Sequence, residues 1–274
     1  MIFLLKILIF LNSLIFSQIT NDYKKMIEQA LEMQEQINLS RDIRIERISG
    51  SVKIVSDEGE NTLTDNYQYP LESGDLIKTG YDGSAIVYID NLAAIKIERN
   101  SEFEITDNYD EPVFTLNLGS LVAKVEKAVK KKFQFKIKTL QAVCAVRGTE
   151  FAIEQSKFSG ESIFAVFDEG EIYIFPAEAE DDESKMIKLS KNSEVIFSPQ
   201  SKNRRVTKIS KMLRYKNNLA DVKKRILTHK KLWKRFSDEQ RVKYRNMLFK
   251  KKEINRKKTS PRAIKNKTQR KKDL

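Results

Sequence analysis

The chain is poor in the residues that carry metal, redox and nucleophilic chemistry. Its 274 residues include one cysteine, Cys144, and one histidine, His229. An internal disulfide is excluded, and a zinc site, which takes several Cys or His ligands, lacks donors. A nucleophile activated by histidine needs the two side by side, whereas Cys144 and His229 lie far apart in sequence. Cys144 sits in an apolar run and reads as a small buried hydrophobe; His229 reads as an exposed helix residue. With nine glycines and no phosphate-binding glycine loop, no cofactor is expected. Acidic residues are scarce at the C-terminus. Residues 200–274 hold 29 Lys+Arg against 5 Asp+Glu, whereas residues 1–199 hold 22 against 33. An acidic body thus precedes a basic segment, and such asymmetry points to an anionic partner or to the chain's own acidic part.

Long apolar runs are missing except at the N-terminus, where Met1–Phe16 reads MIFLLKILIFLNSLIF. It is short for a membrane span and matches a signal peptide: Lys6 near the start, an apolar stretch, and Ser17 at the exit. Residues 1–17 are therefore read as a signal peptide or, alternatively, an uncleaved anchor. No cysteine follows, which excludes a lipoprotein anchor. Export to the periplasm or cell surface is expected. Residues 18–42 form a helical linker, with a helix expected over Asn21–Leu39.

From Ile43 the apolar period changes to alternation. Short strands recur every 8–12 residues as far as Phe197, separated by turn residues, with no strand–helix–strand alternation. That predicts a mainly β, antiparallel sandwich over residues 43–199. Ala85, Val87 and Ile89 alternate with Ile86 and Tyr88, which suggests a strand buried on both faces. Gly50, Gly119 and Gly170 each precede a strand, a weak echo that suggests a recurring turn with positive φ. Residues 200–255 read as basic helices: Val206, Ile209, Met212, Leu213, Leu219, Val222, Ile226 and Leu227 lie on one side, and Ser237-Asp238-Glu239-Gln240 forms a capping box. Residues 256–274 are basic, nearly free of large apolar residues, and expected to be disordered.

Several stretches resemble the FecR domain family. They are Gly50-Ser51-Val52, the run Leu71-Glu72-Ser73-Gly74-Asp75-Leu76-Ile77-Lys78-Thr79-Gly80, Leu118-Gly119-Ser120-Leu121 and Gly170-Glu171-Ile172. The most specific runs from Thr139 to Phe151 and contains Val146-Arg147-Gly148-Thr149. Leu140 stands where the family usually has proline, and Asn91–Ala94 lacks the usual glycine. The resemblance covers about residues 45–198 and implies an extracytoplasmic, jelly-roll-like sandwich. The family's namesakes carry a cytoplasmic anti-sigma segment before a membrane span. Here five residues precede Lys6, so that segment is expected to be absent, and sigma-factor control is not carried over.

Gly74, Asp75, Arg147, Gly148 and Thr149 are the structural motif residues. Gly148 is expected at positive φ, with Arg147 paired to a neighbouring carboxylate; the rival reading offers Arg147 to an anionic ligand. The run Glu178–Glu183 reads as a solvated loop rather than a calcium site. The residues expected to meet an anionic partner are Lys223, Lys224, Arg225, Lys230, Lys231, Lys234, Arg235, Lys250, Lys251 and Lys252. Taken together, these features predict a non-enzymatic envelope binding or scaffolding protein. Its β domain would meet a protein or glycan, and its tail an anionic polymer or membrane surface. The alternatives are a membrane-anchored extracytoplasmic signalling component and a nucleic-acid-binding protein.

Overall fold

The structure is a computed structural model that describes residues 23–28, 41–107, 112–127, 135–180 and 182–258. The chain divides into two compact units, Met1–Arg41 and Asp42–Leu274. In the first, residues 23–28 are helical and exposed. The expected signal peptide, the loop expected at lysines 130–132 and the tail beyond residue 258 lie outside the described residues, as does most of the expected N-terminal helix.

The second unit is mainly β and consists of two facing layers. The first layer runs, neighbour to neighbour, β4 (Tyr69–Pro70), β1 (Ile43–Ser49), β6 (Ser84–Ile89), β7 (Ala93–Ile97), the C-terminal half of β9 (Pro112–Val125), β12 (Glu150–Gln155), β13 (Ser162–Val166), β16 (Ser193–Phe197) and β17 (Thr207–Lys208). The second runs β3 (Gly59–Thr62), β2 (Val52–Ser56), β5 (Leu76–Thr79), β8 (Glu102–Asp107), the N-terminal half of β9, β10 (Phe135–Lys138), β11 (Ala142–Val146), β14 (Glu171–Pro176) and β15 (Ile187–Ser190). The expected all-antiparallel pairing is corrected at one place. β9 and β10 are parallel, because β9 leaves the second layer for the first and β10 returns to its side in the same direction. The polar stretch between Ser56 and Tyr69, which reads as a hairpin or loop, forms a hairpin with β2: it supplies the edge strand β3 and leads into β4.

Alternation builds the core. Inward residues of both layers form one cluster that includes Phe103, Phe114 and Phe135 on one side and Phe151, Phe164 and Phe197 on the other, all fully buried. Phe114 packs edge-on to Phe135 at 5.6 Å, as does Phe164 to Phe197, the arrangement favoured by the ring quadrupoles. β6 and β13 are buried on both faces. Their outward residues Ile86, Tyr88, Ile163 and Ala165 join a second cluster with Met212, Leu219, Val222 and Ile226.

The glycines that open strands are the corners between layers. Gly50, Gly119 and Gly170 have φ of +54°, +92° and +85°, and each lies where the chain passes from one layer to the other. At Gly119, where β9 folds over, a Cβ would lie 2.2 Å from Ser101 Oγ and 2.6 Å from its Cα. The corner thus needs glycine both for backbone conformation and for space.

Beyond β16 the chain turns back. Residues 200–255, expected to be helical throughout, also contain β17 and a 3-10 turn, Lys211–Tyr215, before helices α1 (Lys216–Leu232) and α2 (Asp238–Lys258). α1 lies on the outer face of the first layer, burying Leu219, Val222, Ile226 and His229 at helical spacing. Three such aliphatic side chains contribute about 1.5–3 kcal/mol each. Val206, Leu213 and Leu227, expected on the same apolar side, are exposed instead. α2 packs on β4 and β3, the edge strands of the two layers. It inserts Leu248 into the core, with Tyr244 and Phe249 beside it. At its start Ser237 and Gln240 exchange hydrogen bonds of 3.0 and 3.2 Å, a reciprocal capping box. The C-terminal segment is thus a strap from the last strands back to the first edge, which it closes.

The corner glycines generate a test. Gly119→Ala must overcome both contact and conformation, whereas Gly74→Ala, at φ +91° with nothing within 4 Å of its Cβ, meets conformation alone. Denaturant titration should show Gly119→Ala more destabilising by at least about 1 kcal/mol.

Candidate functional site

The positions that hold the strap lie in the acidic β body, and four of them are buried carboxylates. Asp75 is 1% exposed and sits in the turn Glu72–Asp75, where Gly74 takes φ +91° and Asp75 accepts the Glu72 N–H at 2.8 Å. Arg245 of α2 binds it with both ends of its guanidinium, Nη1 to Oδ2 at 2.5 Å and Nη2 to Oδ1 at 2.8 Å, and donates from Nε to Glu58 at 2.6 Å. Its ring neighbour is Phe249, 4.8 Å away. Burial opposes the Arg245 charge, but Asp75 and Glu58 outweigh it and raise its pKa. A planar fork on a buried carboxylate is the geometry for which arginine, not lysine, is suited.

Glu150, 1% exposed, follows the Arg147-Gly148-Thr149 turn and meets two lysines. Lys124 of β9 lies at 3.2 Å and Lys223 of α1 at 2.7 Å. Lys124 also pairs with Glu169; burial works against its charge, and Glu169 and Glu150 raise its pKa over that. Glu150 Oε2 has no hydrogen-bond partner among the described residues.

Asp42 and Arg44, both buried, pair at the head of β1. Arg44 also donates to the Lys234 carbonyl and lies 3.4 Å over the Phe236 ring, while Asp42 accepts the Phe236 N–H at 3.0 Å. These contacts fix the linker between α1 and α2. At the strap's start Glu194 accepts the N–H groups of Ser210, Lys211 and Met212 at 3.1, 3.2 and 3.0 Å. Burial alone would raise its pKa, and these donors hold it below the usual value.

The expected anion-binding residues fall into groups. Lys223, Arg225 and Lys230 are engaged with the body, on Glu150, Glu46 and Glu126 respectively. Lys224, Lys231 and Lys234 are exposed and make no ion pair among the described residues. Arg235 is exposed and has a partner. Lys250, Lys251 and Lys252 continue α2 in backbone, and their side chains lie outside the described residues. His229, read as exposed, is corrected: it is 7% exposed, stacks on Tyr88 at 4.0 Å and hydrogen-bonds from Nε2 to the Asp90 carbonyl at 2.9 Å. Burial lowers its pKa. Cys144 is buried, and burial raises its thiol pKa.

The motif turn behaves partly as expected. Gly148 has φ +64°, and Thr149 donates to the Glu171 carbonyl at 2.8 Å. Gly170 stacks on this turn so closely that a Cβ would lie 2.4 Å from the Gly148 oxygen. The expected ion pair of Arg147 does not form among the described residues. Its side chain is exposed and lines an open cleft of about 510 Å³ with Lys127 and Glu171. A second cleft, of about 400 Å³, opens between β1, β6 and the end of α1, lined by Arg44, Glu46, Tyr88, Lys224, Arg225 and Trp233 among others. No group of three metal-ligating side chains occurs among the described residues. In the Glu178–Glu183 run, Glu178 pairs with Arg204 and Glu180 with Lys136 and Lys138.

Sequence reasoning did not anticipate the sockets. Asp75–Arg245 and Glu150–Lys223 join residues far apart in the chain, and nothing local announces them. Two signals were present: opposite charges on the two parts, and Glu150 standing inside an otherwise apolar stretch.

The sockets generate two tests. Arg245→Met leaves Asp75 buried and unpaired and should cost about 3–5 kcal/mol in urea titration; adding Asp75→Asn to it should restore part of that loss. Acid should loosen the strap in two steps. Both Glu194 and His229 have lowered pKa values in the folded chain, so each stabilises fully above its ordinary value, 4.5 or 6.5, and loses that contribution as pH falls through the folded value. The hydrogen-exchange protection factors of α1, taken against the intrinsic rate at each pH, should therefore fall below pH 6.5, and those of residues 210–212 only below pH 4.5.

No curated protein matches the sequence. Two crystal structures of a candidate anti-sigma factor from Parabacteroides distasonis, at 2.50 and 1.65 Å resolution, align with 14% identity and a TM-score of 0.42. Each alignment covers 50% of this chain and 61% of that one. The family model described as FecR protein matches residues 75–170, from the Asp75 socket through Glu150 to the Gly170 corner. Over residues 75–170 the chain thus carries a FecR-type domain, which supports a signalling or regulatory role, and the strap that closes its β body lies outside the matched residues.

Proposed function

We propose that the chain is an exported, non-enzymatic regulatory protein of the cell envelope. Its β body recognises a partner protein or glycan, and its strap holds the molecule against an anionic envelope component. The observation that carries this reading is the sorting of the strap's cations. Those on the flanks of α1 are neutralised by body carboxylates, as Lys223 is by Glu150 and Arg225 by Glu46. Lys224 and Lys231 point away from the body and stay exposed. A basic segment that served only to hold itself down would have no need of the second set.

Export rests on the apolar N-terminal stretch ending at Ser17 and agrees with the extracytoplasmic setting typical of FecR-like domains. Among the described residues no helix is long and apolar enough to cross a membrane. The non-enzymatic reading is supported by the two side chains that usually supply a nucleophile and a base. Cys144 is sealed in the core with its thiol pKa raised, and His229 is stacked and bonded to a backbone carbonyl. The exposed Arg147, in the cleft with Lys127, is the body's recognition group for a partner carboxylate.

Fractionation of cells with N-terminal sequencing tests export: the expected product starts near residue 18 outside the cytoplasm, and an intact Met1 in the cytosol overturns it. Retention of the protein on immobilised heparin tests the cationic strap. Elution is expected at a salt concentration that falls when Lys224, Lys231 and Lys234 are changed together to glutamine; unchanged elution overturns the anionic-partner reading.

A further inference from the structure

We infer that the anionic component is a phospholipid surface, and that it docks on the outward side of α1 with a headgroup in the cleft beside that helix. This deepens the anionic-partner reading and rests on it.

The buried residues of α1, Leu219, Val222, Ile226 and His229, define its inward line. At 100° per residue, Ala220, Lys224, Leu227 and Lys231 lie on the opposite line, and all four are exposed. Two of these are cations, and Leu227 stands between them with 57% of its surface exposed. Leu232, at the end of the helix, is 77% exposed and lines the rim of the 400 Å³ cleft. Lys234 follows, also exposed. The strap from residue 200 to the start of α2 holds one acidic residue, Asp221, which is tied to Arg225 at 3.2 Å. The outward side therefore presents leucines set among lysines, with no carboxylate of its own.

A soluble polyanion requires only the lysines. Leucines held out in water at the level of those lysines fit an interface where the charges meet headgroups and the aliphatic tips pass the headgroup boundary. The cleft supplies a place for one headgroup. Lys224 and Arg225 line it, with Arg44 deeper. The carboxylates in its wall, Glu46 and Asp221, are already paired with Arg225. Trp233 is also in its lining, the residue type enriched at the level of lipid headgroups. α1 lies flat on the sandwich, so the helix that would touch lipid is one already folded, and binding requires no further ordering.

The test uses the chain from residue 18, which keeps the compact unit Asp42–Leu274 whole. Co-sedimentation is measured with phosphatidylglycerol-containing vesicles and with phosphatidylcholine vesicles, and heparin retention is measured in parallel. The expected result is binding to the anionic vesicles alone. It should weaken about tenfold in the Leu227→Ser/Leu232→Ser double variant, with heparin retention and the thermal midpoint unchanged. If the double variant binds anionic vesicles as the parent does, the lipid inference falls and the polyanion reading stands. Equal binding to phosphatidylcholine removes the anionic headgroup. Failure on both vesicles and heparin removes the anionic-partner reading as well.

Discussion

The structure depends on buried carboxylates of the β body being matched by cations that arrive from the end of the chain. Asp75 and Glu150 are each about 1% exposed, and a carboxylate so placed is tolerable only when paired and hydrogen-bonded. Arg245 and Lys223 supply part of that pairing. The body without its strap would hold Asp75 beneath an open edge and would leave Ile86, Tyr88, Val122 and Ile163 facing water. Charge and apolar burial therefore act together: the outer face of the first layer fixes where α1 lies, and the sockets fix its register and that of α2.

This arrangement changes the meaning of the net charge. A formal excess of +13 suggests a protein committed to polyanions. Much of the basic segment is instead the counter-charge of its own body, through Arg204, Arg214, Lys216, Lys223, Arg225, Lys230 and Arg245. Among the described residues, the cations left without a body carboxylate include Lys224 and Lys231 on one line of α1 and, in the body, Arg147.

Much of the sandwich was legible because strand alternation is a local signal. Residues 84–89 announced a strand buried on both faces, and the glycines at 50, 119 and 170 announced a recurring turn with positive φ, though not that each turn is a corner between layers. The capping box at Ser237 was equally local. What local pattern could not give was the parallel contact of β9 with β10, which follows from β9 bending between layers. Nor could it show that His229 is buried, because helical spacing places it on the inward line of α1 only once Leu219, Val222 and Ile226 are known to face a sheet. Leu213 and Leu227 were misplaced for a related reason: the helix is interrupted by the Lys211–Tyr215 turn, so a single continuous face never existed. The sockets were illegible because each pairs residues brought together only by the completed fold.

The strap's course also sets an order of events. The strands advance across the sandwich from β1 and β2 to β16 and β17, and each new strand finds its neighbour already made. The edge formed by β3 and β4, among the earliest to be synthesised, is closed by α2, among the last. That edge therefore stays unpaired in any partly formed body that lacks the C-terminal strap. The polar sequence of β3 and the proline at the end of β4 are what guard that edge against other chains during the interval.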